Sequence, residues 1–318
     1  MTPRDPGRLK IVGLSLSNRC TNECIFCGDV RMNVPVLNAG QIATKLEGYR
    51  RSGYNGIDIS SKEFTLRPDA LEILRHARGL GFDMIHLVTN GHVFARSKRA
   101  AEFLDAGITD LTLSLHSDSS ETESLITGNP SSFSRKLASI ESVLRYVAER
   151  KSGLVFSVNT VMTPLTASRL DRVMDFVASR GVRRHNLFFP RIQGHMLDAF
   201  ERTVPRFSEV SGPLSKGLDQ VDARGVACSV LDVPPCVIAK HARRVCARLS
   251  QEDLFNISGG DAGSERRRDA GWGKVKGEPC RACPLAEKCE GVPAAYAERR
   301  GWLEFVPPPP ESQPLGAG

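Results

Sequence analysis

The sequence holds no uncharged apolar run of the roughly eighteen residues that a membrane-spanning helix needs. Its opening residues, MTPRDPGRLK, contain two prolines and no apolar stretch, so no secretory signal is expected. Aromatic residues make up only 6% of the chain, and the basic runs Arg266–Arg268 and Arg299–Arg300 have no aromatics between them. A stacking surface for nucleic acid is therefore not expected. The net charge of +7 is modest for 318 residues and does not choose between an anionic substrate, a nucleic acid and an acidic partner. With no export or membrane signal, a cytoplasmic location is expected, where thiols stay reduced. There, clustered cysteines more often bind metal or do redox chemistry than form disulfides.

Strand-like and helical patterns alternate from about residue 10 to 190. Strands are expected at Leu9–Ser17, Gly56–Ser60, Met84–Gly91, Asp110–Ser117, Leu154–Met162 and His185–Arg191. Helices are expected between them, several stopped by glycine, as at Gly81, Gly107 and Gly181. Read as continuous apolar runs, the strands imply an α/β fold whose parallel sheet is covered by helices. Six βα units suit an incomplete (β/α)6 barrel, although a flat doubly wound sheet would give a similar pattern. The barrel should occupy 10–195, a helical connection 196–227, and a small cysteine-rich domain 228–306. That last domain should be organised by metal more than by a hydrophobic core. The proline-rich tail, 307–318, is expected to be disordered or extended.

Nine cysteines are present, and three fall in SNRCTNECIFCGDV as Cys20, Cys24 and Cys27, directly after the first strand. A cubane iron–sulfur cluster normally takes four thiolates, so a nest of three leaves one iron for an outside ligand. A zinc site with a borrowed ligand is the alternative. The C-x3-C-x2-C run resembles that of the radical S-adenosylmethionine (SAM) superfamily, and the resemblance covers roughly residues 10–195. It implies that the three cysteines hold a [4Fe–4S] cluster whose open iron binds SAM. Phe26 matches the aromatic residue that precedes the third cysteine and lies near the adenine. ISSKEFTLRPD (59–69) aligns with the family's S-G-G-E-P-T-L pattern, with Ser61, Lys62 and Phe64 replacing two glycines and a proline. Glu63 would be its carboxylate, accepting from the SAM amino group. Thr89, Asn90 and Gly91 match the family's T-N-G, and Ser114 matches a SAM-contacting serine. Asn159 and Arg191 are expected near the barrel mouth, where turn capping is the competing role, and His116 faces either the substrate or a strand end.

The second constellation, GEPCRACPLAEKCEGVPAAYAERRG, places Cys280, Cys283 and Cys289 as C-x2-C-x5-C, with Cys236 upstream in DVPPC. Four thiolates can ligate a second [4Fe–4S] cluster, and they can equally hold tetrahedral zinc. The segment resembles the SPASM and shortened twitch tails of radical SAM enzymes. The small number of remaining cysteines favours the twitch form, in which Cys236, or alternatively Cys246, completes the set. If Cys246 is not a ligand, it is a candidate hydrogen donor for epimerisation.

The resemblance thus implies abstraction of hydrogen from a natural-product substrate for oxidation, epimerisation or cross-linking. The cofactors would be two clusters and SAM, with flavodoxin or ferredoxin as electron donor. Peptide-maturing relatives often carry a leader-binding domain ahead of the barrel, and only about ten residues precede the first strand here. A sugar or aminoglycoside-like substrate is therefore favoured over a peptide. A nucleic-acid modifier and a zinc scaffold are the alternatives.

Overall fold

The computed structural model describes residues 9–28, 36–60, 62–246 and 273–309. Seven parallel strands form one sheet in sequential order: β1 (Ile11–Leu14), β2 (Gly56–Ile59), β3 (Met84–Thr89), β4 (Asp110–Ser114), β5 (Val155–Val161), β6 (Arg184–Phe188) and β7 (Ala227–Leu231). Each strand pairs with its immediate successor, so every crossover puts its helix on the same face. This is the topology of a partial barrel; a doubly wound sheet would reverse its strand order at a switch point.

Two sequence expectations are corrected. The strands are not apolar on both faces. One face carries Val12, Leu14, Ile57, Ile59, Ile85, Leu87, Leu111, Leu113 and Val158, all at most 1% exposed. The alternate positions hold Asp58, His86, Thr112, Ser157, Asn159, Asn186 and Ser229, which line the lumen. The helix-facing side chains drive assembly, at roughly 2 kcal/mol for each fully buried one. The polar positions are tolerated because the lumen gives them partners. Second, Ala227–Leu231 is a seventh strand paired with β6, so the sheet runs past the boundary expected at 227.

The outer layer contains α1 (Ala39–Arg51), α2 (Ala70–Gly79), α3 (Ser97–Asp105), α4 (Ser120–Thr127), α5 (Ser132–Arg150) and α6 (Leu170–Ser179). Two short helices, α7 (His195–Asp198) and α8 (Phe200–Thr203), lead to α9 (Phe207–Ala223). Local chemistry sets several ends. Asn38 accepts from the Gln41 N–H while the Gln41 side chain accepts from the Asn38 N–H, a reciprocal cap that opens α1. Ser119 caps α4, and Gly128 ends it in the left-handed region.

The C-terminal segment holds β8 (Lys274–Val275), β9 (Val292–Pro293) and α10 (Ala294–Arg300). It has more apolar core than expected. Tyr296, fully buried, packs with Phe189, Phe200, Phe207 and Phe305. The Phe207 N–H donates to its hydroxyl, and the hydroxyl also contacts Glu304. Ser61, Arg266–Arg268 and the tail from residue 310 lie outside the described residues.

Candidate functional site

The loop after β1 carries the first three thiols, Cys20 exposed and Cys24 and Cys27 half-buried. Its backbone is tied to the end of α4: Glu23 N–H donates to Thr127 O (2.8 Å) and Ile25 N–H to Ile126 O (2.9 Å). Asn129 reinforces this by donating to Thr21 O and Asn22 Oδ1. On the other side, His195 Nε2 meets Ile25 O at 3.0 Å, and a Cβ at Gly28 would fall 2.2 Å from Gln193 Nε2. Two donors point at Cys20 Sγ, the Asn22 N–H (3.4 Å) and Asn90 Nδ2 (3.7 Å). Such N–H···S contacts tune a bound metal centre.

Charge around the loop is arranged from below. Burial pushes the Cys24 thiol up to about 12, against the pull of the Lys136 ammonium, while Cys27 and Cys20 add to the rise. Lys136 on α5 and Glu123 on α4 form a fully buried ion pair of 2.6 Å. Glu123 Oε2 also accepts from the His116 N–H. Phe26 lies edge-on to the His116 ring, with centroids 4.7 Å apart. Because His116 Nδ1 accepts the Val161 N–H, its proton sits on Nε2. Burial, helped by Lys136, holds the His116 pKa well below its ordinary value. The imidazole is neutral and faces the cysteine loop through Phe26.

Glu63, Thr89 and Asn90 lie together, with Glu63 1% exposed. Its Oε1 accepts from Thr65 N–H, Thr65 Oγ1 and Thr89 Oγ1, and its Oε2 from Asn90 N–H (2.7 Å). Burial raises its pKa in spite of these bonds. Glu63 thus fixes Asn90, which in turn holds Thr21 Oγ1 and faces Cys20. Gly91 adopts φ +85°, and a Cβ there would meet Leu113 Cδ1 at 2.5 Å, so the turn after β3 needs glycine. Ser114 pairs in register with Asn159, whose Oδ1 accepts from Asn186 Nδ2. Arg191 is exposed, just beyond β6.

At the other end of the chain, Cys236, Cys280, Cys283 and Cys289 line one narrow cleft together with Pro234, Leu285, Val292 and Phe305. Burial pushes the Cys236 thiol up to about 12, and the nearby Cys289, Cys283 and Cys280 add to the rise. The Gly291 N–H donates to Cys289 Sγ. Cys246 is exposed and stands outside this cleft, its N–H bonded to Val230 O. Cys228 is buried in β7. Among the described residues no three His, Cys, Asp or Glu converge tightly enough to chelate one ion. Cubane ligands need not do so, because each binds a different iron.

Sequence reasoning missed the lumen. His86 Nδ1 lies 2.7 Å from Asp58 Oδ1, His86 Nε2 2.8 Å from Thr112 Oγ1, and Thr112 Oγ1 2.7 Å from Ser157 Oγ. The signal was the strict alternation of polar residues in D-L-T-L-S and V-F-S-V-N.

The Radical SAM superfamily profile matches residues 14–177. Among curated proteins, the chain is 31% identical over 139 residues to a probable GTP 3′,8-cyclase of Saccharolobus solfataricus, covering 43% of this chain and 44% of that protein. It is 25% identical over 186 residues to an AdoMet-dependent heme synthase of Methanosarcina barkeri, covering 57% and 50% respectively. The chain thus spans about half the length of the curated relatives it matches. Among solved structures, Streptococcus suis SuiB bound to S-adenosylmethionine superposes with a TM-score of 0.62 at 14% identity, covering 94% of this chain and 76% of that one. Native anSMEcpe with bound AdoMet and Cp18Cys peptide gives 0.55 at 14% identity, covering 69% and 63%. No described helix is long and apolar enough to cross a membrane. The three-thiol loop after β1, the seven-strand parallel sheet and a profile that spans half of the chain agree: this protein belongs to the radical SAM superfamily.

Proposed function

We propose that the chain abstracts hydrogen from a small polar natural-product substrate, with one [4Fe–4S] cluster on Cys20, Cys24 and Cys27 and a second on Cys236, Cys280, Cys283 and Cys289. Bound SAM, reduced through the first cluster, supplies a 5′-deoxyadenosyl radical. The protein's own part is to hold and orient. Cys20 receives the Asn22 and Asn90 donors, Asn90 is fixed by Glu63, and Phe26 is braced by His116. Thr89, Ser114, Asn159 and Arg191 contribute to the SAM side of the barrel mouth. Flavodoxin or ferredoxin is the proposed electron donor.

The observation that carries the reading is the four-thiol cleft, which supplies the ligand count a second [4Fe–4S] cluster takes, with tetrahedral zinc as the competing occupant. Burial raises the Cys236 and Cys289 thiols, so cluster loading should release protons from them. Cys246 stands apart. In an epimerising reaction it is the thiol that would return a hydrogen atom.

The names of the relatives and structural neighbours suggest nucleotide, porphyrin-precursor and peptide substrates. The test is anaerobic purification with iron, sulfide and zinc analysis. Wild-type protein should be brown with about eight irons, and Cys236→Ala should hold about four while still cleaving SAM. Colourless protein containing zinc would overturn the reading.

A further inference from the structure

Two fully buried charges lie next to the cysteine loop: Lys136 on α5 and Glu123 on α4, paired at 2.6 Å. Stability alone does not account for them, because a well-packed apolar pair would join α4 to α5 as firmly or more so. We propose that the Lys136–Glu123 pair tunes the reduction potential of the cluster on Cys20, Cys24 and Cys27. Its ammonium favours the one electron that this cluster takes from the flavodoxin or ferredoxin donor. This rests on the cluster reading above and adds which charge sets the ease of that first step.

Three connections tie the pair to the loop. Glu123 O accepts from Thr127 Oγ1 at 2.7 Å, and Thr127 O accepts the N–H of Glu23, the residue before Cys24. Glu123 Oε2 accepts from the His116 N–H, and the His116 ring meets Phe26, the residue before Cys27. One turn ahead of Lys136 on α5, Ser132 Oγ meets His92 Nε2 at 3.3 Å, and His92 Nδ1 lies 3.1 Å from Oγ1 of Thr21, the residue after Cys20. Each of the three cysteines thus has a chain neighbour joined through one residue to the pair or to the helix that carries Lys136.

The pair is also oriented. Both Glu123 oxygens are held, Oε1 by Lys136 Nζ and Oε2 by the His116 N–H. Burial dominates the rise of the Cys24 thiol; among the charges acting on it, Lys136 pulls hardest and Glu123 pushes least. The positive end of the pair is therefore turned to the loop. His92 and His116, which flank the loop, are held neutral by burial and by the same ammonium, so neither adds a second cation. An added electron makes a cluster more negative, and a fixed cation in low-dielectric surroundings favours that state. Glu123, acting more weakly, offsets part of the effect.

The test is a redox titration of the first cluster, followed by electron paramagnetic resonance, in a Cys236→Ala parent that leaves only this cluster. Lys136→Met with Glu123→Gln removes both charges and keeps an acceptor for the His116 N–H. At a fixed solution potential its ratio of reduced to oxidised cluster should fall about tenfold, a midpoint lower by about 59 mV for one electron, with iron content unchanged. Lys136→Gln with Glu123→Gln, which keeps a polar pair, should show the same fall, because both variants lose the charge while differing in packing. The proposal is overturned if the assembled double variants keep the parent's midpoint. It is equally overturned if neither double variant assembles the cluster, since the pair would then serve the fold of the loop alone. A parent protein without iron would instead sink the proposed function, so the two failures are distinguishable.

Discussion

His185 shows how much one buried side chain can dictate. It sits on β6, fully buried, with Nε2 2.8 Å from Thr160 Oγ1. The Thr160 hydroxyl donates to Leu115 O, so His185 must donate to Thr160, and its Nδ1 has no hydrogen-bond partner. Burial lowers the His185 pKa to about 3. The unfolded chain takes up this proton near pH 6.5 and the folded one does not. Stability is therefore complete above that pH and is lost as the pH falls, by about 2 kcal/mol at about pH 5. His92, lowered to about 4 by burial, acts in the same direction. Thermal unfolding of wild type and His185→Gln at about pH 7 and pH 5 checks this. The wild-type midpoint should drop on acidification and the variant's should drop less. At this scale the sequence was informative about spacing and poor on direction: the Cys20, Cys24 and Cys27 run could be read from its spacing, whereas the inward turn of Glu63 depends on Thr89 and Asn90, at the end of β3.

Among the elements, the pairing of α4 with α5 supports the cysteine loop. The last turn of α4 accepts two loop N–H groups, and Glu123 pairs with Lys136, fully buried with it. Removing one member of a buried pair strands the other's charge in a low-dielectric interior. Lys136→Met should therefore destabilise the protein by about 3–5 kcal/mol. Adding Glu123→Gln should recover most of that loss. Denaturant melts of the single and double variants decide the matter: equal stability of wild type and Lys136→Met would show that the pair is not needed. Helix α4 was not expected from the sequence, because SETESLIT is short and mostly polar, and its shape depends on a Ser119 cap and a Gly128 end.

For the molecule as a whole, the question is whether the C-terminal segment is a separate unit. Its aromatic core says otherwise. Tyr296 joins α10 to the Phe189 and Phe207 pair, whose rings stack 4.0 Å apart beside the last strands of the sheet. Tyr296→Ala should then destabilise by about 3–5 kcal/mol and lower one global transition, with no second transition splitting off. Calorimetry of the variant measures this, and two separate transitions would contradict it. Gly291, at φ +102° and with Val275 O 2.4 Å from where a Cβ would be, lets β9 lie against β8 beside the thiol cleft.

By itself the sequence determined the family, the three-cysteine run and the α/β order, because each of these is local: a spacing, a period, a cap. Only the tertiary structure decided the rest. It joined Ala227–Leu231 to the sheet as a seventh strand, brought Cys236 and not Cys246 into the cleft with Cys280, Cys283 and Cys289, and aligned Asp58, His86, Thr112 and Ser157 across four strands. Those contacts join residues far apart in the chain, and they depend on strand register and barrel curvature, which the packing of the whole sheet sets.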